Sequence, residues 1–348
     1  MEAPAPDFAA RLLDWFDRCG RHDLPWQHPR TPYRVWVSEI MLQQTQVQTA
    51  APYFERFMSA FPTLPALAQA SLDQVLAQWS GLGYYARARN LHQAARACIE
   101  RHAGELPRDT TALEALPGIG RSTAAAIMAQ AWGERCAILD GNVKRVLARY
   151  HGVPGWPNSP AVQKQLWLLA ERHLPAARLA DYTQAQMDFG ATLCTRLNPA
   201  CAICVLQPQC VAWQQGRVAE LPTPRPGKPL PQREALVLLA RNAHGEVLMQ
   251  RRPPTGIWAS LWSLPQADDP AALREWFERH LQGDFDSANA LDPIQHAFTH
   301  FRLRLQPVQF DGLAMRAGVG DNDDLRWMPQ PGLQSIGIPA PIRKLLGA

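Results

Sequence analysis

No run of about 18 consecutive apolar residues occurs anywhere in the chain, which excludes a membrane-spanning helix. Charge is scarce as well. Charged residues make up 19% of the 348 and the net charge is only +4, too small for composition to announce a nucleic-acid partner. Neither half hides a basic arm: up to Leu221 the chain carries 21 basic and 18 acidic residues, and beyond it 14 and 13. Contact with DNA would have to come from local patches and backbone amides. The start contains Glu2 and Asp7 and no basic segment, so a secretory signal is not expected. Disorder is excluded by an excess, 47% hydrophobic residues. What remains reads as an ordinary soluble enzyme, long for one domain and comfortable for two.

Cysteine is sparse and unevenly placed. Of seven, an odd number, four fall between Cys194 and Cys210, a pattern that suits a metal centre in a reducing compartment and not a disulfide scaffold. The gaps between Cys194, Cys201, Cys204 and Cys210 are six, two and five residues, so the thiolates can converge without long loop closure. Zinc held by four thiolates is one reading, though it often uses two separated C-x2-C pairs. One such pair with two outliers forms a compact loop around a bulky centre, which suits a [4Fe–4S] cluster better. Cys19, Cys98 and Cys136 read as buried small hydrophobes.

Proline is concentrated in one place. Five of the ten residues at 222–231 are Pro, which forbids helix and reads as an extended connector. Before it, apolar residues recur at helical spacing, as at Phe8, Leu12, Trp15 and Phe16 and at Leu91, Ala94, Ala95 and Cys98. Proline punctuates between such stretches at 61–63 and 106–107. After it come strand-like runs at 235–240, 247–250 and 301–310, with one helical stretch at 271–281. The sequence therefore predicts an all-α domain over 1–221, a connector at 222–232, and a smaller α+β domain over 233–348.

Two local motifs carry chemistry. LPGIG at 116–120 precedes Arg121, Ser122, Thr123 and the apolar helix 124–132. Gly118 and Gly120 in a tight turn before a helix expose backbone N–H groups at the positive end of its dipole, a phosphate site that needs no basic side chain. An ordinary helix–helix turn is the competing reading. Asp140 opens the next helix, whose Val143, Val146, Leu147 and Tyr150 share a face, and is placed as its N-cap. A cap carboxylate is held ionised, and at a pocket edge it could stabilise a developing cation. A lone capping aspartate is nonetheless usually structural.

LPGIG, an aspartate 20 residues after Gly120 and the four-cysteine loop together resemble the helix-hairpin-helix, Gly/Pro-Asp superfamily of DNA glycosylases. WVSEIMLQQTQV at 36–47 and GLGYYARARNL at 81–91 are closely similar to the MutY-type adenine DNA glycosylases, which act on adenine mispaired with 8-oxoguanine or guanine. The resemblance is dense from Trp15 to Cys210 and thinner beyond. It implies an all-α catalytic domain with its hairpin at about 113–132 and a [4Fe–4S] cluster on Cys194, Cys201, Cys204 and Cys210. The implied partner is double-stranded DNA containing A:8-oxoguanine or A:G, bound by a cytoplasmic monomer.

The resemblance makes Glu39 the general acid that protonates adenine at N7. A carboxyl group flanked by Trp36, Ile40 and Met41 is expected to be raised by desolvation, as acid work near neutral pH demands. Asp140 would stay ionised and stabilise the oxocarbenium-like state or orient water. The adenine must leave the duplex. Tyr84 would wedge into the stack, Gln44, Thr45 and Leu82 would meet the gap and opposite base, and Trp26 and Gln184 would line the base pocket. The plain alternatives are a core Tyr84 and a surface Gln184. Arg87, Arg89 and Lys144 resemble DNA contacts. Ser122 stands where strand-nicking relatives have the Schiff-base lysine; a hydroxyl cannot form that imine, so a monofunctional glycosylase is expected.

Beyond the connector, GIW at 256–258 and LWSLP at 261–265 faintly resemble the opening of a Nudix box. An acidic helix that holds Mg²⁺ should follow. The chain has LREWFER at 273–279 instead, its carboxylates too few and misplaced, so this domain is expected to read 8-oxoguanine without hydrolysing anything. His296, Ala297, Phe298, Thr299 and His300 resemble the reading loop, with Thr299 where Ser is usual. Two rivals stand. One is an endonuclease III-like pyrimidine glycosylase with lyase activity, opposed by Ser122 and the second domain. The other is a non-catalytic DNA-binding module in which Glu39 and Asp140 are incidental.

Overall fold

The computed structural model describes residues 8–225, 227, 229–316 and 324–347. Glu2 and Asp7 at the start, and Pro226 and Lys228 of the proline-rich stretch, lie outside the described residues. Among the described residues no helix is long and apolar enough to cross a membrane. The chain divides into two compact units, one made of 1–68 and 93–227, the other of 69–92 and 228–348.

The first unit is helical. In Phe8–Cys19 the residues Phe8, Leu12, Trp15 and Phe16 form the buried stripe that their spacing predicts, and Trp15 meets Phe189 edge-on with ring centroids 5.0 Å apart. Cys19 departs from expectation: it is exposed, because it is the last residue of this helix, past the turns packed on the core. Pro32–Leu42 starts where the Thr31 side chain accepts the Arg34 N–H and Pro32 occupies the first turn, a position needing no donor. It packs against Arg121–Trp132, whose alanines permit close approach.

A short helix, Thr110–Glu114, leads into the 116–120 turn and then into Arg121–Trp132. The turn closes by an Ile119 N–H bond of 3.2 Å to the Leu116 carbonyl, and Gly118 sits at φ +81°, where a side chain would be strained. Gly141–Tyr150 buries Val143, Val146 and Leu147. Leu179–Thr192 packs onto that helix. A Cβ on Gly190 would lie 2.5 Å from the Cβ of Asn142, so only glycine lets the helix approach the backbone beside Asp140.

The second unit is built on a sheet. Gln232–Asn242 pairs in parallel with Arg302–Met315 and antiparallel with Val247–Arg251, and Leu325–Met328 adds antiparallel to the latter. The strands overrun the apolar runs that announced them, because ladder pairing from Gln232↔Arg302 onward recruits polar Arg233 and Glu234. Pro270–His280 starts at Asp269, whose carboxylate accepts the Ala272 N–H at 2.8 Å. It buries Leu273 and Phe277 in a core with Leu238, Leu248 and Phe310. Ile294–Ala297 turns back on Arg302–Met315 as an antiparallel hairpin, and its 298–301 tip is closed by the Phe298 N–H on the Phe301 carbonyl at 2.9 Å. The 69–92 segment contributes the helix Leu72–Trp79, opened by a capping box between Ser71 and Gln74.

Candidate active site

Within the first unit the helix ends surround a cleft of about 980 Å³, a size that suits a base-sized ligand with room around it. Trp26, Glu39, Gln44, Thr45, Ser122, Asp140 and Gln184 all line it. Seven residues scattered over more than a hundred positions of sequence are thus brought to one surface.

Glu39 lies near the end of Pro32–Leu42, half-buried, with Gln130 Nε2 donating to its Oε1 at 2.8 Å. Burial pushes its carboxyl up to about 7, against the pull of the Gln130 bond, and the negative charge of Asp140 adds to the rise. Asp140 caps Gly141–Tyr150: its Oδ1 accepts the Val143 N–H at 2.8 Å and its Oδ2 the Asn142 Nδ2 at 3.3 Å. The cap alone would hold Asp140 below the ordinary aspartate value. Burial instead raises it, outweighing the Val143 and Asn142 bonds and the charge of Arg145. The two carboxylates differ in their partners: Asp140 has cap bonds and a nearby guanidinium that favour its anion, whereas Glu39 has one amide bond.

Gln184 is buried, not a surface residue, at 3% exposure. Its Nε2 donates to Asp188 Oδ1 at 2.8 Å, while its Oε1 is buried with no hydrogen-bond partner among the described residues. An unpaired buried acceptor on a cleft wall is an address for a donor. Asp188, fully buried, also accepts the Arg21 backbone N–H at 2.8 Å and the Arg21 Nε at 2.9 Å. Trp26 stands edge-on to Phe54 at 5.5 Å, which fixes its plane beside the cleft. Sequence reasoning missed Arg21, Gln130, Asn142, Arg145 and Asp188. The signals were there for two: a lone Gln inside the apolar 124–132 helix, and an i,i+4 Gln–Asp pair in Leu179–Thr192.

The Ser122 hydroxyl accepts the Leu139 N–H at 2.9 Å, bracing the residue before Asp140. Gln44, at φ +58°, turns the chain out of Pro32–Leu42, and Gln43 Nε2 lies 3.4 Å from the Gly118 carbonyl, tying this exit to the hairpin. Lys144 lines an adjoining groove with Gly120, Arg121 and Ser122, the last of which also lines the cleft. Its Nζ donates to Asn158 Oδ1 at 2.6 Å.

Leu82 and Tyr84 belong to the second unit. Leu82 is buried at 7%, while Tyr84 is 45% exposed and not core, held at φ +50°. Arg87 and Arg89, expected to touch phosphates, are engaged inside this unit: Arg87 Nη2 donates to the Gly83 carbonyl at 3.1 Å and Arg89 Nη1 to the Ala259 carbonyl at 2.7 Å. At the hairpin tip Phe298 is half-buried, stacked on Phe301 at 4.4 Å, and Thr299 and His300 are exposed, with Thr299 Oγ1 3.3 Å from His300 Nδ1.

Cys194, Cys201, Cys204 and Cys210 line one small cavity with Arg149. Burial first, and the charge of neighbouring thiolates second, push Cys201 and Cys210 up and Cys204 to about 11. Among the described residues, no three His, Cys, Asp or Glu side chains are gathered tightly enough for a single metal ion. Four cysteine side chains lining one cavity are the donor set that a group bound by four thiolates requires.

Residues 37–172 match the family of HhH-GPD superfamily base excision DNA repair proteins, and 236–348 match the NUDIX domain. The adenine DNA glycosylase of Buchnera aphidicola subsp. Acyrthosiphon pisum (strain APS) is 34% identical, over 97% of this chain and 96% of that protein. The adenine DNA glycosylase of Homo sapiens is 33% identical over 97% of this chain and 73% of its own length. A thermostable thymine-DNA glycosylase superposes with a TM-score of 0.55 at 30% identity, covering 60% of this chain and 95% of that one. An endonuclease III in a non-covalent DNA complex reaches 0.51 at 22% identity, covering 60% and 94%, a likeness of fold alone.

Proposed function

The chain belongs to the MutY-type adenine DNA glycosylases, and on that premise we propose that it excises adenine mispaired with 8-oxoguanine or guanine by hydrolysis, without cutting the strand. The observation that carries this reading is the carboxylate pair. Glu39, raised to about 7, and Asp140, anchored as a helix cap, line one cleft with an orphaned amide acceptor on Gln184.

The adenine leaves the stack at a cost of a few kcal/mol and enters the cleft beside Trp26. Gln184 Oε1 accepts from its exocyclic amine. Protonated Glu39 donates to N7; the C1′–N9 bond then breaks with its electron pair passing to the base, and neutral adenine departs. The sugar is left as an oxocarbenium-like cation, which the Asp140 carboxylate stabilises. Water adds to C1′ and its proton returns to Glu39. Lyase chemistry needs an amine at the sugar. Ser122 offers only a hydroxyl already engaged by Leu139, and the Lys144 amine is engaged by Asn158.

Gly118, Gly120 and Lys144 hold the DNA backbone in this reading; Gln44, Thr45, Leu82 and Tyr84 meet the vacated stack, and Phe298, Thr299 and His300 read the opposite base. Residues 222–232 serve as the connector between the catalytic and reading domains. Cys194, Cys201, Cys204 and Cys210 hold a [4Fe–4S] cluster, which ties four points of the 194–210 loop to one centre. About four irons per chain support it, and one zinc refutes it. The function is tested by incubating the protein with an A:8-oxoguanine duplex, with and without hot alkali. Breaks only after alkali support monofunctional adenine release. Breaks without alkali remove the monofunctional assignment, and an intact strand in both arms removes the activity.

A further inference from the structure

The turn that presents Tyr84 is strained and its supports come from far along the chain. Gly81 stands at φ +98°, Gly83 at +78° and Tyr84 at +50°. For a bulky residue such a backbone persists only where the surroundings over-determine it. Inside the 69–92 segment, Trp79 Nε1 donates to the Gly83 carbonyl at 3.1 Å and the Gly81 N–H reaches the Tyr85 hydroxyl at 3.3 Å. The other anchors lie in the sheet-bearing part of the same unit. The Tyr85 hydroxyl donates to the Ile338 carbonyl at 3.1 Å, and Arg89 Nη1 to the Ala259 carbonyl at 2.7 Å. A Cβ on Gly337 would stand 2.7 Å from Leu76 Cβ, so a glycine there is what lets the helix Leu72–Trp79 seat.

One ion pair fixes the start of that helix. Arg251 Nη1 and Nη2 donate to Asp73 Oδ1 and Oδ2 at 3.0 and 2.8 Å, a two-pronged fork. The same guanidinium stacks over Trp262 at 4.7 Å, and its Nε lies 3.3 Å from Asp324 Oδ1. Arg251 therefore links a strand of the Nudix-like fold to the first turn of the helix that ends, at Trp79, immediately before the strained turn.

We propose that Arg251 and Asp73 are positioning residues for opposite-base discrimination: the Nudix-like domain builds the wedge turn as well as carrying a reading loop. This rests on the proposed A:8-oxoguanine function. In it, the domain contributes twice, once through Thr299 and His300 and once by holding Leu82 and Tyr84 in a conformation the isolated segment would not keep. The fork is directional and short, so removing one prong lets the helix and the turn after it relax without touching the carboxylates of the cleft.

The test uses the full-length chain carrying Arg251→Met, Asp73→Asn, or the exchanged pair Asp73→Arg with Arg251→Asp. Two quantities are read: the ratio of single-turnover rates for A:8-oxoguanine over A:G at limiting enzyme, and the fluorescence of 2-aminopurine placed beside the 8-oxoguanine, which rises when Tyr84 unstacks it. Each single variant should lower the ratio about tenfold and blunt the fluorescence rise. The exchanged pair should restore part of both, the signature of a direct coupling, since it re-forms the fork but gives up the stack on Trp262 and the pairing with Asp324. At saturating enzyme, adenine release from A:8-oxoguanine should stay within about twofold of wild type, since the acid and the cation stabiliser are untouched. An unchanged ratio and an unchanged fluorescence rise in both single variants overturn the proposal. So does a loss that the exchange leaves unrepaired and that follows a fall in melting temperature, because the pair then only supports the fold. Wild-type protein that releases no adenine overturns the function itself, a result separate from either.

Discussion

The catalytic cleft and the hairpin tip at 298–301 solve opposite problems. In the cleft, Glu39 is half-buried at a helix end, bonded by Gln130, and its proton affinity is set by what excludes water. At the tip, Thr299 and His300 are exposed, with His300 beside Thr299 and edge-on to Phe301 at 4.8 Å. A proton donor must be desolvated to work near neutral pH, and a reader of base edges must be accessible with its donors and acceptors unspent. Substitutions in the cleft should therefore change rate constants by orders of magnitude, and those at the tip should change ratios between substrates.

The largest effect should come from Glu39→Gln. It keeps the shape and an amide for the Gln130 contact but cannot donate a proton of suitable pKa. Base release should fall by about 10⁴-fold, the upper end of general acid catalysis, with mispair binding nearly intact. Single-turnover cleavage and binding to the same duplex decide it; activity within tenfold of wild type removes the assignment. Asp140→Asn comes next, at about 10²–10³-fold in rate, because the charge facing the sugar cation is lost while the cap oxygen remains. Normal turnover with only a lower melting temperature would return Asp140 to a purely structural cap.

A smaller effect follows from pH. With Glu39 near 7 in the folded protein, the acid form dominates below that value and is titrated away above it. Single-turnover rate should drop about tenfold per unit at alkaline pH. The same shift has a stability sign. Between its ordinary value of 4.5 and about 7, native Glu39 holds a proton that the unfolded chain has released, so stability falls as pH rises through this window. Glu39→Gln removes that loss. Its melting temperature should gain on wild type at pH 8 relative to pH 5, and a constant difference would contradict the buried-acid picture.

The two regions also differ in how far the sequence reveals them. Helix and strand identities were legible because burial stripes such as Phe8, Leu12, Trp15 and Phe16 follow local periodicity. The cap at Asp140 was legible from spacing alone, but not the sign of its shift, since burial is set by packing from Leu179–Thr192 across the Gly190–Asn142 approach. Arg21 with Asp188, and Arg251 with Asp73, were invisible for the same reason: each pair is more than 160 positions apart in sequence. Arg89 shows the limit from the other side. A basic residue in a DNA-glycosylase-like run reads as a phosphate contact, yet its guanidinium serves a carbonyl at Ala259.

The smallest effect expected, and the one that bears most directly on the contrast, is at the tip. Guanine and 8-oxoguanine differ by a C8 oxygen and an N7 proton, so a reader needs an acceptor and a donor within reach of that edge. Thr299 and His300 offer both from a four-residue turn closed by the Phe298–Phe301 bond and stacked rings, and Phe298 also packs toward Trp258 at 5.9 Å. Contacts of this kind are worth about 1–3 kcal/mol of discrimination each, part of which water recovers at an exposed site. Thr299→Ala with His300→Ala should thus lower the A:8-oxoguanine over A:G preference by about tenfold. Adenine release at saturating enzyme should be unchanged, because neither residue lines the cleft of Glu39 and Asp140. A fall in that saturating rate would show that the tip acts on chemistry as well as on reading. A preserved ratio would move opposite-base recognition onto Thr45, Leu82 and Tyr84.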